Sequence, residues 1–528
     1  MNSVQKKHSS NWAITLFTIG VFMAALDNGI ISAALTTIND SFGVSASWGS
    51  WGITLYTLGL AVSVPIIGKL SDRFGRKRLF LIEVALFGIG SLLVALSSSF
   101  PMFLLSRLFQ AFGGGGIFII GSSHVLTTLP KEKQGKALGL LGAMNGMAAV
   151  LGPNVGSFLL DLTGNWHWLF LINIPIAAVL IILGIPFITE TKASSTKRLD
   201  FVGTTILSLA ILSLMYGITN LDAGNFFGSF ADPMVYGFVL GGVILFILLV
   251  LYEKNLEARS GDPILAYSLL SSKVFQWTLL IGFFSGGLLA AVIFIPSFVE
   301  QFLGVSAEKS GYWMTPLALA SGVGAGLGGV LVDKKGPVFT TIISGVISLV
   351  GFALFPLWVT ERWEFVIASM IAGVGFGFLL GAPLNVLVSE SVDNSNKGSA
   401  LGTLSLIRQI GLTLSPTLYA GFIAAGASNI GNEIKSGLAA AGISGSGPAF
   451  SDISGMSTSQ LYEAVEQIPD PTIKEIIMNA IHDSIGKGFG NLYLTAAIIS
   501  TLVIVSILIL SIYRKKSLQK EPVKIPLA

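Results

Sequence analysis

Fourteen stretches of this 528-residue chain are long and apolar enough to cross a bilayer as helices, each crossing taking about 20 residues. They read as 12–36, 50–70, 79–98, 101–122, 137–160, 166–188, 201–221, 234–252, 276–297, 312–332, 338–358, 364–387, 398–425 and 490–513. Lipid is therefore the solvent: 52% of residues are hydrophobic and the mean hydropathy is +0.78. Backbone that crosses hydrocarbon has to satisfy its own hydrogen bonds, so the expected fold class is an all-α integral membrane protein of 14 transmembrane helices. The 62 glycines suit close packing of such helices. The first apolar run, from Trp12, continues past twenty residues with no small-residue cleavage site and reads as a retained span rather than a signal peptide.

Charge sets the orientation. With the N-terminus inside, the inner segments hold 24 of the 31 Lys and Arg, and the outer segments hold only Lys309, Arg362, Lys435, Lys474 and Lys487. Arg107 and Arg408 lie inside spans. One miscounted span would invert every later loop, so the asymmetry checks the count as well. The chain is expected to be a multi-pass cell-membrane protein with both termini cytoplasmic. The polar insertion at 427–489, Gly/Ser-rich and then two short helices flanking "PDP", reads as a solvated outer hairpin of net charge −4. An acidic surface that gathers cationic ligands is the alternative reading of it.

Several functions are disfavoured by what the chain lacks. Without cysteine there is no thiolate chemistry or cysteine metal site, and the four histidines are scattered. "GAGLGG" at 324–329 sits inside a span with no strand before it, and there is no Walker-type phosphate loop, so no ATP site or other cofactor is expected. The net charge of +3 carries no nucleic-acid signal, no catalytic constellation suggests an enzyme, and nothing reports an oligomeric state.

"GKLSDRFGRKRLF" at 68–80 concentrates five cations in the inner turn between spans 2 and 3. Gly68 and Gly75 permit tight backbone geometry, and Lys69, Arg73, Arg76, Lys77 and Arg78 are expected to face the anionic inner surface. Asp72 adds little to topology, but at a helix hairpin it can accept hydrogen bonds from a neighbouring helix N-terminus. "GGVLVDKKGPV" at 328–338 repeats Gly329, Asp333 and Gly336 without the arginines. Two such hairpins point to duplicated halves and alternating access, with the stretch as an asymmetric latch between bundles.

Three of the charges inside spans could carry transport. Asp27 lies about 22 Å along the first span from Trp12, near the bilayer middle, where a carboxyl is costly and usually functional. Arg107, about 9 Å below Pro101 in span 4, falls in the same outer half, so the two can pair. Arg408 in span 13 has no acid at matching depth; a backbone carbonyl, an anionic substrate group, or Glu390 with Asp393 are its candidate partners. Gly142, Gly146, Gly152 and Gly156 with Pro153 leave span 5 nearly bare on one side, suiting a close, bendable helix contact in gating. Asn145, Asn154 and Gln110 are polar groups within spans, and Tyr56, Phe112, Phe118 and Phe376 could offer apolar or cation–π faces, but each reads as ordinary packing before pocket.

These motifs together resemble the major facilitator superfamily. "WGITLYTL" at 51–58 with "GKLSDRFGRK" looks like its span 2 and loop signature. "LDNGIISAAL" at 26–35, "RLFQAFGG" at 107–114 and "GPNVGS" at 152–157 resemble the first-span, span 4 and span 5 motifs of its drug/proton antiporters. "WHWLFLINIP" at 166–175, "LDFVG" at 199–203, "QFLGVSAEKSGYWMTP" at 301–316 and "IRQIG" at 407–411 resemble the fourteen-span branch, which includes quaternary-ammonium and multidrug exporters. Departures at Asn28-Gly29, Ser32, Thr36, Ser157 and His167 bear on pocket shape. The resemblance implies six-helix bundles over 1–190 and 273–513, two inserted helices within 191–272 and a tail at 514–528. It also implies proton-coupled efflux of amphipathic, cationic or aromatic small molecules, with Asp27 and Arg107 coupling proton and substrate. The alternatives are export of an endogenous lipid or metabolite on the same fold, uptake, or a non-transporting membrane sensor.

Overall fold

This computed structural model describes residues 3–192, 199–441, 465, 468 and 470–520. Spans 1 to 6 are Asn11–Ile31, Trp51–Phe74, Arg76–Ala95, Phe100–Thr128, Lys131–Ala148 continued by Leu151–Thr163, and Trp168–Phe187. Spans 7 and 8 are Phe201–Thr219 and Pro233–Ala258. Spans 9 to 14 are Lys273–Gln301, Gly311–Lys335, Pro337–Leu357, Arg362–Glu390, Lys397–Ala440 and Pro471–Lys515. All fourteen expected segments are helical. Span 5 bends by 48° between Ala148 and Leu151, where Pro153 offers no N–H to the carbonyl four residues back and crowds it.

Spans 1 to 6 form one bundle and spans 9 to 14 the other, while spans 7 and 8 pack on each other and span 7 lies across spans 2 and 13. The bundles meet along two helix pairs, span 5 with span 10 and span 2 with span 13. Spans 4 and 12 are each interrupted. Span 4 divides into Phe100–Gly114 and Ile117–Thr128 at a run of four glycines, and span 12 into Arg362–Leu380 and Pro383–Glu390 at a proline. Glycine without a side chain and proline without an N–H are the residues at which a membrane helix can break.

The outer insertion differs from expectation. Span 13 belongs to a helix that runs Lys397–Ala440, and the helix of span 14 starts at Pro471, so 427–440 and 471–489 are helical continuations rather than loop. After "PDP" there is therefore one long helix, started by Asp470, whose Oδ1 accepts the Thr472 amide at 2.8 Å, with Pro471 at the first helical position. The short helix expected before it and most of the Gly/Ser-rich stretch lie outside the described residues. The two continuations are held together where a Cβ at Gly426 would stand 3.0 Å from Gly488 Cα, and by a 2.6 Å ion pair of Lys487 with Glu433.

Candidate functional site

Asp27 is buried in the middle of the first bundle, and spans 3, 4 and 6 deliver polar groups to it. Arg107 Nη1 donates to Asp27 Oδ2 at 2.6 Å and to Gln110 Oε1 at 2.6 Å. Gln110 Nε2 donates to Asp27 Oδ1 at 3.0 Å and to Ser91 Oγ at 2.8 Å. Asn173 Nδ2 completes the ring, donating to the same two oxygens at 3.1 and 3.2 Å. The guanidinium carbon lies 3.9 Å from the Tyr56 ring centre and 5.5 Å from that of Phe170, and its Nε and Nη2 have no hydrogen-bond partner. Arg107 is thus neutralised by one acid and otherwise sheathed by aromatic faces.

Small residues bring these groups together. A Cβ at Gly90 would stand 2.6 Å from Gln110 Cα, so spans 3 and 4 touch backbone to backbone beside Ser91. Arg107 and Gln110, three residues apart, share a face of span 4. Gly152 of span 5 meets Gly29 of span 1 two residues beyond Asp27. The pairing of Asp27 with Arg107 follows the sequence expectation, whereas Gln110 and Tyr56, read there as packing, belong to the cluster. Ser91 and Asn173 were not foreseen; the only signal for either was a lone polar letter within an apolar run. Chemically, a proton placed on Asp27 discharges the ion pair and leaves Arg107 buried with aromatic and amide neighbours alone. The protonation state of Asp27 therefore governs the charge of the whole ring.

The basic turns lie at one end of the molecule and make two contacts between bundles, where the latch is expected. Asp72 Oδ2 accepts the Ser399 amide at the start of span 13 at 3.1 Å, and Gly68 abuts Gly398. Asp333 Oδ1 and Oδ2 accept the amides of Gly135 and Lys136 at 2.7 and 2.8 Å at the start of span 5, and Gly329 abuts Gly135. Gly75, at φ +108°, admits no side chain because Glu190 fills that space while accepting the Lys77 and Arg78 amides at 3.1 Å.

The expectation that all five cations face a lipid surface needs correction. Arg76 is buried, donating to Asp72 Oδ1 at 2.5 Å, to Ser123 Oγ at 2.7 Å and to the Asn394 carbonyl across the bundle interface. Lys69 and Arg73 turn to Asp262 at 2.6 and 3.7 Å, and Lys77 reaches the Ile185 carbonyl at the end of span 6. Only Arg78 is exposed. Carboxylates and helix-end carbonyls within reach of a short turn outcompete water and headgroups.

Span 5 is bare on two faces rather than one. Gly142 and Gly146 meet Gly381 of span 12 and Ser321 of span 10, continuing a stripe from Gly135 and Gly139 that sequence reading passed over, whereas Gly152 faces span 1. Gly156 is buried. Among the described residues Arg408 takes neither a backbone carbonyl nor Glu390: Nε donates to Ser285 Oγ at 3.0 Å, Nη2 has no partner there, and Glu390 pairs with Arg514 at 2.7 Å.

Comparison with known proteins places this geometry. The sequence signature of the Major Facilitator Superfamily matches residues 17–416. An uncharacterized MFS-type transporter of Bacillus subtilis (strain 168), YfiU, is 68% identical over 97% of this chain and 99% of its own length. Multidrug resistance protein 3 of the same organism is 28% identical over 97% of each chain. The riboflavin transporter RibZ of Clostridioides difficile (strain 630) is 30% identical over 78% of this chain and 88% of its own. Among solved structures, the human organic anion transporter MFSD10 superposes with a TM-score of 0.59 at 15% identity, covering 93% of this chain and 99% of that one. With two six-helix bundles, paired hairpin latches and a signature spanning most of its length, the chain belongs to the Major Facilitator Superfamily and is a membrane transporter rather than an enzyme.

Proposed function

We propose that the protein is a proton-coupled exporter that exchanges external protons for amphipathic small molecules by alternating access, with the basic end and both termini in the cytoplasm. One observation carries this reading: Asp27, the acid of span 1, is fully buried and among the described residues its charge is balanced by the single cation Arg107. A proton arriving from outside neutralises Asp27 and frees Arg107, which changes how spans 1 and 4 hold each other. Opening of the two latches then turns the site inward, where the proton leaves and cargo enters. Closing around Asp72 and Asp333 returns the cargo outward. The gradient supplies the energy, with no cofactor. Asp27→Asn keeps the size of the side chain and one acceptor oxygen but neither the charge nor the titration. It is expected to abolish cargo-driven proton release from reconstituted vesicles while the protein still reaches the membrane; unchanged release overturns the reading.

A second reading concerns the cargo. Asp27 is compensated, whereas Arg408 in the other bundle carries an N–H group with no partner, and no ion-paired acid, among the described residues. A metabolite with carbonyl or anionic acceptors suits that group better than a quaternary cation, and the similarity to a riboflavin transporter points the same way. Vesicles challenged in parallel with ethidium and riboflavin separate the two. Arg408→Gln should weaken a riboflavin response severalfold and leave an ethidium response intact if the acceptor-bearing cargo is the right one.

A further inference from the structure

Span 3 carries a second buried acid that the Asp27 ring does not use. Glu83 is fully buried; its Oε2 accepts the Gly116 amide at 3.0 Å and its Oε1 has no partner. Gly116 precedes the half-helix Ile117–Thr128, so the carboxyl sits at the positive end of a broken span, with one oxygen unengaged. Among the described residues no cation pairs with it. The nearby cations are engaged elsewhere, Arg76 by Asp72, Lys69 by Asp262 and Arg107 by Asp27.

The break in span 4 also gathers polar atoms. From Gly113 to Gly116 the backbone is bare, and each glycine faces a polar atom of another span. A Cβ at Gly114 would stand 3.0 Å from the Tyr56 hydroxyl, Gly115 abuts Ser63 Oγ, and Gly116 meets Glu83. Tyr56 covers Arg107, and its hydroxyl has no partner either. Glu83 lies eight residues before Ser91 on span 3, about 12 Å nearer the basic end. The hydroxyls therefore step from the Asp27 ring along the glycine run towards Glu83.

We infer that Glu83 is a second proton-binding carboxyl, standing between the Asp27 ring and the cytoplasmic face and receiving the proton that Asp27 gives up. The inference rests on the proposed proton coupling. In the transfer Asp27–COOH and Glu83–COO⁻ become Asp27–COO⁻ and Glu83–COOH; Asp27 regains its ion pair with Arg107, and the proton on Glu83 later leaves to the basic side. The half-helix end favours the ionised form and the apolar surroundings favour the acid, opposing influences suited to a group that takes and releases a proton.

Glu83→Gln preserves an oxygen for the Gly116 amide and removes the titration. The full-length protein in lipid vesicles is compared with Glu83→Gln and Asp27→Asn by infrared pH-difference spectroscopy and by proton release driven by ethidium or riboflavin. The expected result is a carboxylic-acid band lost in Glu83→Gln and kept in Asp27→Asn, with cargo-driven proton release roughly tenfold slower in Glu83→Gln. An unchanged spectrum shows that Glu83 is only a helix cap and overturns the inference; a lost band with unchanged proton release overturns its place on the route. If the wild-type protein releases no protons with either cargo, the proposed function falls, and with it the route, while the band alone still decides whether Glu83 binds a proton. If Asp27→Asn abolishes release and Glu83→Gln does not, only the present inference fails.

Discussion

Gly90 of span 3 packs against Gln110 of span 4, and Gly351 of span 11 packs in the same way against Ala372 of span 12. Three residues further on, Gly113 meets the backbone of Phe87, as Gly375 meets that of Ser348. Placed on this common frame, Arg107 corresponds to Ser369, Gln110 to Ala372 and Glu83 to Ser344. Ser369 and Ser344 are buried too, but Ser369 bonds back to the Val366 carbonyl and Ser344 to the Gly375 carbonyl. At 369 and 344 the second bundle thus satisfies its hydroxyls with backbone, where Arg107 and Gln110 of the first meet Asp27 side chain to side chain. Duplication fixed where helices touch; it did not fix what they hold. The buried acid–base pair belongs to the first bundle, while the second holds Arg408 as a cation against Ser285.

The sharpest way to break this comparison is to give the first bundle the residue of the second. Arg107→Ser leaves Asp27 buried without its partner and should cost roughly 3–5 kcal/mol of stability, against about 1 kcal/mol for Ser369→Ala. Thermal unfolding of the purified protein measures both, and equal losses would show that Asp27 is held by the ring rather than by Arg107. The latches come next. Asp72→Ala removes the ion pair with Arg76 as well as the Ser399 contact, whereas Asp333→Ala removes backbone contacts alone. Transport rates should fall roughly tenfold and threefold respectively, a difference of under 1 kcal/mol at about 1.4 kcal/mol per tenfold. Neither should change topology as read by labelling of the termini; an inverted topology would return the stretch to a charge anchor. The smallest effect expected is that of Ser91→Ala, about 1 kcal/mol in the same unfolding measurement, with proton exchange retained, because Gln110 and Asn173 still reach Asp27.

The sequence revealed the frame and the charged members of the site because hydrocarbon makes both conspicuous. Asp27 and Arg107 interrupt apolar runs, and Asp72 and Asp333 repeat within matching glycines. Ser91 and Asn173 were illegible for the opposite reason: serine in a membrane helix commonly bonds to its own backbone, as Ser63 does, and nothing local says when it will not. Partner choice was equally hidden. Lys69 and Arg76 suit an anionic membrane as well as an acid, and the acid that holds Lys69 is Asp262, 193 residues away. Glu83 was visible within "FLIEVALFGIG", yet its meaning depends on Gly116, whose amide is free only because span 4 breaks there.

The helices that continue past spans 13 and 14 have a mechanical consequence. From 427 to 440 the first of them extends about 21 Å, and its clasp to the second at Gly426, Gly488 and Lys487–Glu433 makes the pair a stiff arm rooted in one bundle. A tilt of that bundle too slight to follow at the latches swings the far end of the arm through a distance that grows with its length. Probes attached near Ala440 and on the turn before span 2 would therefore magnify each half-cycle into a readable separation, a pointer for motions centred on the opposite face.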